Sequence, residues 1–498
     1  MIRQTTLLVA RVLAGVTATG TLLVATNGHV TRAAAAPGVA VVTAAPNIGE
    51  VATSREAQLR AAGYVEGEFF LEGTAQSYAR RGDWNVDGVW ETVPGETAPF
   101  AIRLLARYPR DPTRFNGVVF VEWFNVSGQS EGDPNFSLLH AELLRDGYAY
   151  VGVGAQAAGI NGRGGLKNVN SDRYAALHHP GDSYSYDIYS QAGRAIRTPP
   201  ELAPLGALTS RIRHLIADGE SQSAGRMVTY VNAVHPLARV YDGFFIHSRS
   251  GGAALLAQDA ETRAAAPTPA RIRRDLDVPV FTIQAEGDVP RFMSARQPDS
   301  DMLRTWELAG TAHADRYLLT GGGVRPLTIT CDESVPELNV PVNDGPMTYP
   351  MRAALRHMKR WVDGGAPPPS APALATVGAA LSRDAATGIA IAGVRTPQVD
   401  VPVRTLNGVR EPAGGGGFCR LFGRTDEWNG DTDPWDGGPA DPSPTPEPVL
   451  SRLYPTRAVY LARFDEAVER GIRSGFILRE DAAAMKAEAS RVTFGLNE

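Results

Sequence analysis

The stretch from Ile212 to Val234 (IRHLIADGESQSAGRMVTYVNAV) decides the fold, because it places a serine between a strand and a helix. Its first six residues are mostly apolar and predict a buried strand, and its last eleven have the spacing of an amphipathic helix. A tight turn of this kind holds its central serine in a strained backbone geometry with the hydroxyl exposed. Gly219 and Ser223, two positions before and after Ser221, are small, as the turn requires. The stretch therefore predicts a nucleophile elbow with Ser221 as the nucleophile.

Strand-like and helix-like segments alternate on both sides of this motif. Short, nearly continuous apolar runs are typical of strands buried on both faces of a parallel sheet. Their alternation with helices predicts an α/β fold built on a doubly wound, mainly parallel sheet. The predicted strands are 100–108, 118–124, 148–153, 212–217, 241–247, 278–284 and 303–308, with short strands within 64–79. The predicted helices are 137–145, 186–197, 224–234, 351–362, 457–472 and 480–490.

The chain of 498 residues is interpreted as one domain over residues 45–495. The catalytic core is expected over about residues 100–365. Residues 366–498 are rich in glycine and proline as far as residue 448, and they predict a loop-rich extension that ends in two helices.

Residues 1–36 have the pattern of a signal peptide: Arg3, an apolar run, and small residues up to Ala36. We therefore expect export and cleavage near Ala34 to Ala36, which predicts a secreted, periplasmic or cell-envelope location. The apolar run is too short for a stable membrane span.

Two other serines have similar surroundings. Ser130 matches G-x-S-x-G literally in the segment 128–132, but Asp133 and Pro134 follow it instead of a helix. Ser250 follows a predicted strand, with Ser248 two positions before it. Both stay as weaker candidates for the nucleophile.

A serine nucleophile needs a histidine base, and the base needs a carboxylate that orients it. After an elbow of this type the acid comes next in the chain and the histidine last. His313 and His357 leave room for an acid-bearing strand after Ser221, and His357 falls within a regular predicted helix. His313 is therefore the predicted base. Asp288, at the end of the strand 278–284, is the favoured acid, with Glu286 as the alternative.

An oxyanion hole needs two backbone N–H groups directed at the developing negative charge. The N–H of Gln222, directly after the nucleophile, is the first candidate. The second is expected in the loop after the strand 118–124, at Asn125 or its neighbour Val126.

Composition narrows the partners. The formal net charge of −5 shows no excess of basic residues, so nothing in the composition points to a nucleic-acid partner. The predicted chemistry needs no cofactor, and no metal site is predicted. The aspartates 426, 431, 433 and 436 lack EF-hand spacing, and His178 and His179 near Asp182 are more typical of packing or substrate contact. Cys331 and Cys419 can form a disulfide in an oxidising compartment or stay unpaired.

Several segments resemble the bacterial "alpha/beta hydrolase domain" proteins, a group of often secreted, carboxylesterase-like sequences. The resemblance rests on VEWFNVSG (121–128), HPGDSYSYDIYSQAG (179–193), GESQSAG (219–225), AGTAHAD (309–315) and LYPTRAVYLARF (453–464). It covers nearly all of the mature chain and implies an α/β-hydrolase fold. It implies Ser221 as the nucleophile and His313 as the base, and it leaves Asp288 and Glu286 open as the acid.

The sequence thus predicts a serine hydrolase that cleaves carboxylic esters of small or lipid-like molecules. Two alternatives stay open: an acyltransferase that uses the same triad, and a non-catalytic binding protein on a hydrolase scaffold.

Overall fold

The computed structural model describes residues 40–48, 51–52, 54–198, 204–258, 265–321, 342–410, 417–428, 450 and 453–492. The predicted signal peptide at residues 1–36 lies outside the described residues. No helix in these ranges is long and apolar enough to cross a membrane.

A nine-stranded sheet forms the centre of the molecule, in the order β1-β2-β3-β5-β4-β6-β7-β8-β9. The six strands β4 to β9 run parallel to one another. The three strands β1, β2 and β3 are antiparallel to their neighbours, including the pair of β3 with β5. The prediction of a mainly parallel sheet is confirmed. The strands are β1 Val41–Ala44, β2 Tyr64–Arg81, β3 Glu91–Pro109, β4 Val118–Trp123, β5 Ala149–Val153, β6 His214–Glu220, β7 Gly243–His247, β8 Val280–Ala285 and β9 Leu303–Leu308.

Helices cover both faces of this sheet. The helices are α1 Glu56–Ala61, α2 Pro134–Arg145, α3 Ala157–Asn161, α4 Leu166–Val169, α5 Ser185–Ile196, α6 Gln222–Thr229, α7 His235–Ala238, α8 Val289–Phe292, α9 Arg316–Leu319, α10 Thr348–Val362, α11 Pro397–Asp400, α12 Arg457–Arg473 and α13 Ala482–Ala489. Helices α5 and α6 pack on one face and α2 and α10 on the other. Strand β4 therefore buries all six of its residues, which explains its continuous apolar sequence.

The long hairpin of β2 and β3 differs from the short strands predicted there. The structure has strands of 18 and 19 residues in antiparallel register, with one irregularity between Gln76 and Tyr78. Polar residues interrupt the apolar pattern of these strands, so the sequence indicates only fragments of them. Two of those polar residues, Arg103 and Arg107, are fully buried.

The C-terminal extension packs on the core and is not only loop. It contains the paired strands β10 Thr376–Val377 and β11 Ala380–Leu381, and the paired strands β12 Arg404–Asn407 and β13 Arg424–Glu427. Helices α12 and α13 form a separate apolar cluster with Tyr349 of α10. Cys419 is disulfide-bonded, and Cys331 lies outside the described residues.

Candidate active site

Ser221 lies between the carboxyl end of β6 and the first residue of α6. Its backbone has φ 56° and ψ −110°. A residue other than glycine is strained in this region, and such strain recurs where a nucleophile is presented at a strand–helix turn. The turn therefore has the geometry of a nucleophile elbow.

The small residues around Ser221 are required by the close approach of β6 and α6. A Cβ atom at Gly219 would lie 2.7 Å from the carbonyl oxygen of Ser223 and 2.8 Å from Cγ of Met227. Ser223 stands where a second glycine is more common. Its Oγ donates to the carbonyl oxygen of Glu220 at 2.8 Å and accepts from the Glu220 N–H at 3.0 Å. Its hydroxyl thus closes the turn with hydrogen bonds.

His313 and Asp288 lie side by side at the same edge of the sheet. Asp288 ends a short 3-10 turn after β8, and His313 lies in the loop after β9. The Nδ1 atom of His313 lies 2.7 Å from Oδ1 of Asp288. Both residues are buried. This contact fixes Nδ1 as the protonated nitrogen and leaves Nε2 as the proton acceptor of a neutral ring.

Glu286, the alternative acid, directs its carboxylate elsewhere. Its Oε2 accepts from the Gly310 N–H at 2.6 Å, and its Oε1 accepts from the Gly408 N–H at 3.0 Å. Arg383 forms an ion pair with Oε1 at 2.7 Å. Glu286 therefore joins the loop that carries His313 to the C-terminal extension.

Glu220 is a second carboxylate beside His313, and sequence reasoning missed it. Its Oε1 lies 3.2 Å from Nε2 of His313, at ion-pair distance. Burial raises the pKa of Glu220 to about 7, although His313 and Asn125 act to lower it. Burial lowers the pKa of His313, but Asp288 and then Glu220 outweigh it and raise that pKa to about 9. The signal in the sequence was an acidic residue at the buried end of β6, directly before the serine.

In the described residues, no hydrogen bond joins Ser221 Oγ to His313 Nε2. Apo sites often have loose catalytic hydrogen bonds that tighten when substrate binds. The imidazole is thus held from one side by Asp288 and faces Glu220 on the other.

The loop of residues 124–133, here called the oxyanion loop, approaches the elbow from β4. The N–H of Asn125 donates to the carbonyl oxygen of Gly132 at 3.1 Å, so it is occupied within the loop. The side chain of Asn125 instead reaches the elbow, since Nδ2 donates to Oε2 of Glu220 at 2.9 Å and to its carbonyl oxygen at 3.1 Å. The N–H of Val126 points toward Oε1 of Gln222 at 3.4 Å. Val126 therefore presents its N–H to the side chain that follows the elbow serine, and Asn125 contributes through its side chain.

A chain of amides fixes the orientation of the Gln222 side chain. The indole N–H of Trp123 can only donate, and it donates to Oε1 of Gln156 at 2.9 Å. The same oxygen accepts from Nε2 of Gln222 at 2.9 Å. Oε1 of Gln222 is thereby turned toward Val126. The backbone N–H of Gln222 belongs to the first turn of α6, where helical N–H groups have no intrahelical acceptor.

Buried ion pairs anchor the oxyanion loop to the antiparallel strands. Arg103 lies 2.6 Å from Glu131 of the loop, and both side chains are almost completely buried. Arg107 lies 2.5 Å from Asp133, where the loop meets α2. Arg103 also contacts Glu68 of β2 at 3.1 Å. The long β2–β3 hairpin thus holds one wall of the site.

The alternative nucleophiles and the alternative base lack the surroundings of Ser221 and His313. Ser130 is in the oxyanion loop, and α2 starts only at Pro134. Ser250 is followed by irregular chain instead of a helix. The ring of His357 bonds through Nε2 to the carbonyl oxygen of Gly475 at 2.8 Å, so it packs against the extension.

The residues considered for metals have other contacts. His179 Nε2 lies 2.9 Å from the carbonyl oxygen of Ala155, and Asp182 pairs with Arg226 at 2.8 Å. Asp426 pairs with Arg424, and the aspartates at 431, 433 and 436 lie outside the described residues. Within the described ranges, no group of three or more His, Cys, Asp or Glu side chains could hold a metal.

The strand order, the elbow after β6, and the acid and histidine after β8 and β9 define an α/β hydrolase. The chain belongs to the family described as "Alpha/beta hydrolase domain", whose model matches residues 30–487. It matches none of the curated proteins.

Several solved structures are similar to this chain at low identity. A thermostable esterase from Pseudomonas putida is 14% identical, with a TM-score of 0.30 over 54% of this chain and 83% of that chain. A glucuronoyl esterase from Solibacter usitatus is 11% identical, with a TM-score of 0.29 over 55% of this chain and 82% of that chain. An α/β serine hydrolase without a lid from Xanthomonas campestris is 11% identical, with a TM-score of 0.26 over 47% and 83%.

Proposed function

We propose that this protein hydrolyses carboxylic esters through an acyl-enzyme on Ser221. The observation that carries the proposal is the 2.7 Å contact between His313 Nδ1 and Asp288 Oδ1. This pair lies at the same sheet edge as a serine whose backbone is strained into an elbow. A serine, a buried carboxylate and a histidine, in this chain order, are the requirements of acyl transfer on this fold.

In the first step, Ser221 Oγ attacks the ester carbonyl carbon and gives its proton to Nε2 of His313. A tetrahedral oxyanion forms. The bond between the carbonyl carbon and the alcohol oxygen then breaks, and His313 returns the proton to the departing alcohol. Asp288 keeps the ring oriented and stabilises the imidazolium that forms between these transfers.

In the second step, a water molecule attacks the acyl-enzyme and gives one proton to His313. The bond between Ser221 Oγ and the acyl carbon breaks, and His313 protonates the serine oxygen. The carboxylic acid is released, and the enzyme returns to its first state without a cofactor.

The oxyanion is assigned to the backbone N–H groups of Gln222 and Val126. Gln222 directly follows Ser221, the Val126 N–H contacts the Gln222 side chain, and the Asn125 N–H is occupied by Gly132. The Gln222 side chain, which accepts from Val126 at 3.4 Å, must give way to the oxyanion. The fold orients such backbone donors before the negative charge develops, so the backbone does not have to reorganise when the oxyanion forms.

Glu220 is assigned an electrostatic role. Its carboxylate stabilises the imidazolium form of His313 from the Nε2 side, as Asp288 does from the Nδ1 side. The same interaction keeps His313 protonated at neutral pH in the free enzyme, so activity should rise as the pH increases toward about 9.

Hydrolysis of p-nitrophenyl esters from acetate to palmitate tests the proposal. S221A should lower kcat on the order of 10⁶-fold, as expected for loss of a triad serine. S130A and S250A are matched controls that remove the other two candidate serines, and both should retain activity. Activity in S221A equal to the wild type would refute the assignment.

A fluorophosphonate probe separates the proposal from its alternatives. Labelling of wild type but not of S221A supports a reactive serine and argues against a binding protein. The acyltransferase alternative needs the ester substrate itself. If the acyl-enzyme formed from that ester reacts with an added alcohol and not with water, the protein is an acyltransferase instead of a hydrolase.

Export is part of the proposal for the natural substrate. The signal-peptide pattern of residues 1–36 favours an ester met outside the cytoplasm. Fractionation of the producing cell, with mass spectrometry of the mature N-terminus, tests it; full-length protein in the cytoplasm would contradict it.

A further inference from the structure

Arg249 is a buried arginine outside the candidate active site. It follows β7, and only 1% of its surface is exposed. Its Nε donates to the carbonyl oxygen of Ser250 at 3.0 Å, and a terminal nitrogen donates to the carbonyl oxygen of Ala270. Its guanidinium carbon lies 5.5 Å from the ring centre of Phe292. None of these partners carries a negative charge.

The other buried arginines in the described ranges are all paired. Each has a carboxylate oxygen within 4 Å, which offsets its charge. They are Arg103, Arg107, Arg173, Arg226, Arg304, Arg352 and Arg424. Arg249 differs from this whole group, since no described carboxylate comes that close to it.

An unpaired charge in the interior is strongly unfavourable, and proteins normally pair it or neutralise it. Burial lowers the pKa of Arg249 to about 9, so the group stays charged at neutral pH. Loss of a proton therefore does not neutralise Arg249 at neutral pH. A counterion from solution would offset the charge that the described residues leave unpaired.

A small cavity lies beside Arg249, and the centre of a water-sized particle has about 10 Å³ of free space there, which leaves room for an ion slightly larger than water. A second cation, Arg304, also lines it, and the Nε of Arg304 is buried without an acceptor. The charge of Arg304 is offset by Asp299 at 2.6 Å, so Arg249 supplies the uncompensated charge. The remaining lining residues are Ile272, Val280, Thr282, Phe292, Ala295, Gln297, Leu303 and Thr305.

We propose that this cavity binds one monovalent anion of about the size of chloride, paired with Arg249. The apolar part of the lining lowers the local dielectric constant, which strengthens attraction between the anion and the guanidinium. Sulfate and phosphate are too large for a space of this size. Because Phe292 and Ala295 follow closely after Asp288, the anion would also stabilise the segment that carries the proposed acid. Binding of the anion does not require that Ser221 is the nucleophile.

Bromide provides a direct test on the wild-type protein. Crystals grown with sodium gluconate and soaked in sodium bromide should give an anomalous peak in the cavity, in contact with the Arg249 guanidinium. Bromide peaks at the surface only, or water density in the cavity at saturating bromide, would overturn the proposal.

Thermal unfolding provides a second test. At constant ionic strength, replacing gluconate by chloride should raise the Tm of the wild type by about 2–4 °C in a saturable way, because the anion binds only the folded state. Sulfate should not reproduce that saturable rise. R249M should lose the chloride dependence. R239M, which removes an exposed arginine paired with Asp277, should keep it. Equal chloride dependence in wild type and R249M would refute the site, and the bromide test decides if R249M does not fold.

Discussion

The oxyanion loop and the loops after β8 and β9 meet at Ser221, but the fold anchors them differently. The oxyanion loop is held by full charges, through Arg103 and Glu131 and through Arg107 and Asp133. The loops that carry Asp288 and His313 are joined through one carboxylate, Glu286, which accepts from the N–H groups of Gly310 and Gly408 and pairs with the partly exposed Arg383. Buried ion pairs are strongly destabilising when one partner is lost. We infer that damage to the first side appears mainly as lost stability, and damage to the second mainly as lost activity.

The largest effect is expected at Asp288, in the loop after β8. D288N should lower kcat by about 10⁴-fold with little change in folding, because the amide no longer holds the histidine in the right tautomer. E286Q is the matched control, since it alters a carboxylate two residues away that contacts Gly310, Gly408 and Arg383. Its kcat should stay within about tenfold of wild type. Kinetics with p-nitrophenyl esters, normalised to folded protein, measure both. Equal loss in the two variants would remove the distinction between them.

The next effect concerns the first side. R103M leaves Glu131 buried without its cation, whereas Glu68 keeps Arg173, and the variant should lower the free energy of unfolding by about 3–5 kcal/mol. R80M removes an exposed arginine that pairs with Asp83 and should change it by less than about 1 kcal/mol. Urea unfolding followed by fluorescence measures both variants. A similar change in the two would show that the buried pairs do not anchor the loop.

A smaller effect should follow from cutting the link between the two sides. N125A removes the hydrogen bond to the Glu220 carboxylate, which is worth about 1.5–3 kcal/mol for a charged partner. If that link positions the oxyanion loop, kcat should fall roughly 10–100-fold. S127A, at an exposed position on the same loop, should stay near wild type. Unchanged kcat in N125A would mean that the ion pairs alone position the loop.

The smallest effect is a shift in pH dependence. Catalysis needs neutral His313, whose pKa is raised to about 9, so activity should rise with pH through that value. E220Q removes a negative charge that favours the imidazolium, so the rising limb of kcat/KM should move to lower pH by about one unit. A lost carboxylate cannot raise the pKa of the histidine by this route, so a shift to higher pH, or no shift, would exclude the proposed role. Asp288, Arg291 and His247 also act on this group or lie beside it, and they stay unchanged in the variant.

The sequence indicated the positions of Ser221 and His313 because each follows a short apolar strand and chain order restricts the choice. It could not separate Asp288 from Glu286, since both follow β8 within one turn. The difference depends on Arg383 and Gly408, about a hundred residues further along the chain. Glu220 was missed because its importance comes from a contact across two strands. The β2–β3 hairpin was only partly predicted, because the buried arginines that serve the oxyanion loop look like surface residues in a linear pattern.

The bond between Glu286 and the extension has a consequence for how such a gene can change. If recombination or a premature stop codon removed the chain after residue 365, Glu286 would lose both Arg383 and Gly408 as partners, two residues from the proposed acid. A shortened descendant would therefore need a compensating substitution at position 286 at the same time. We therefore expect the last quarter of the coding sequence to change together with the segment that follows the strand ending at Ala285.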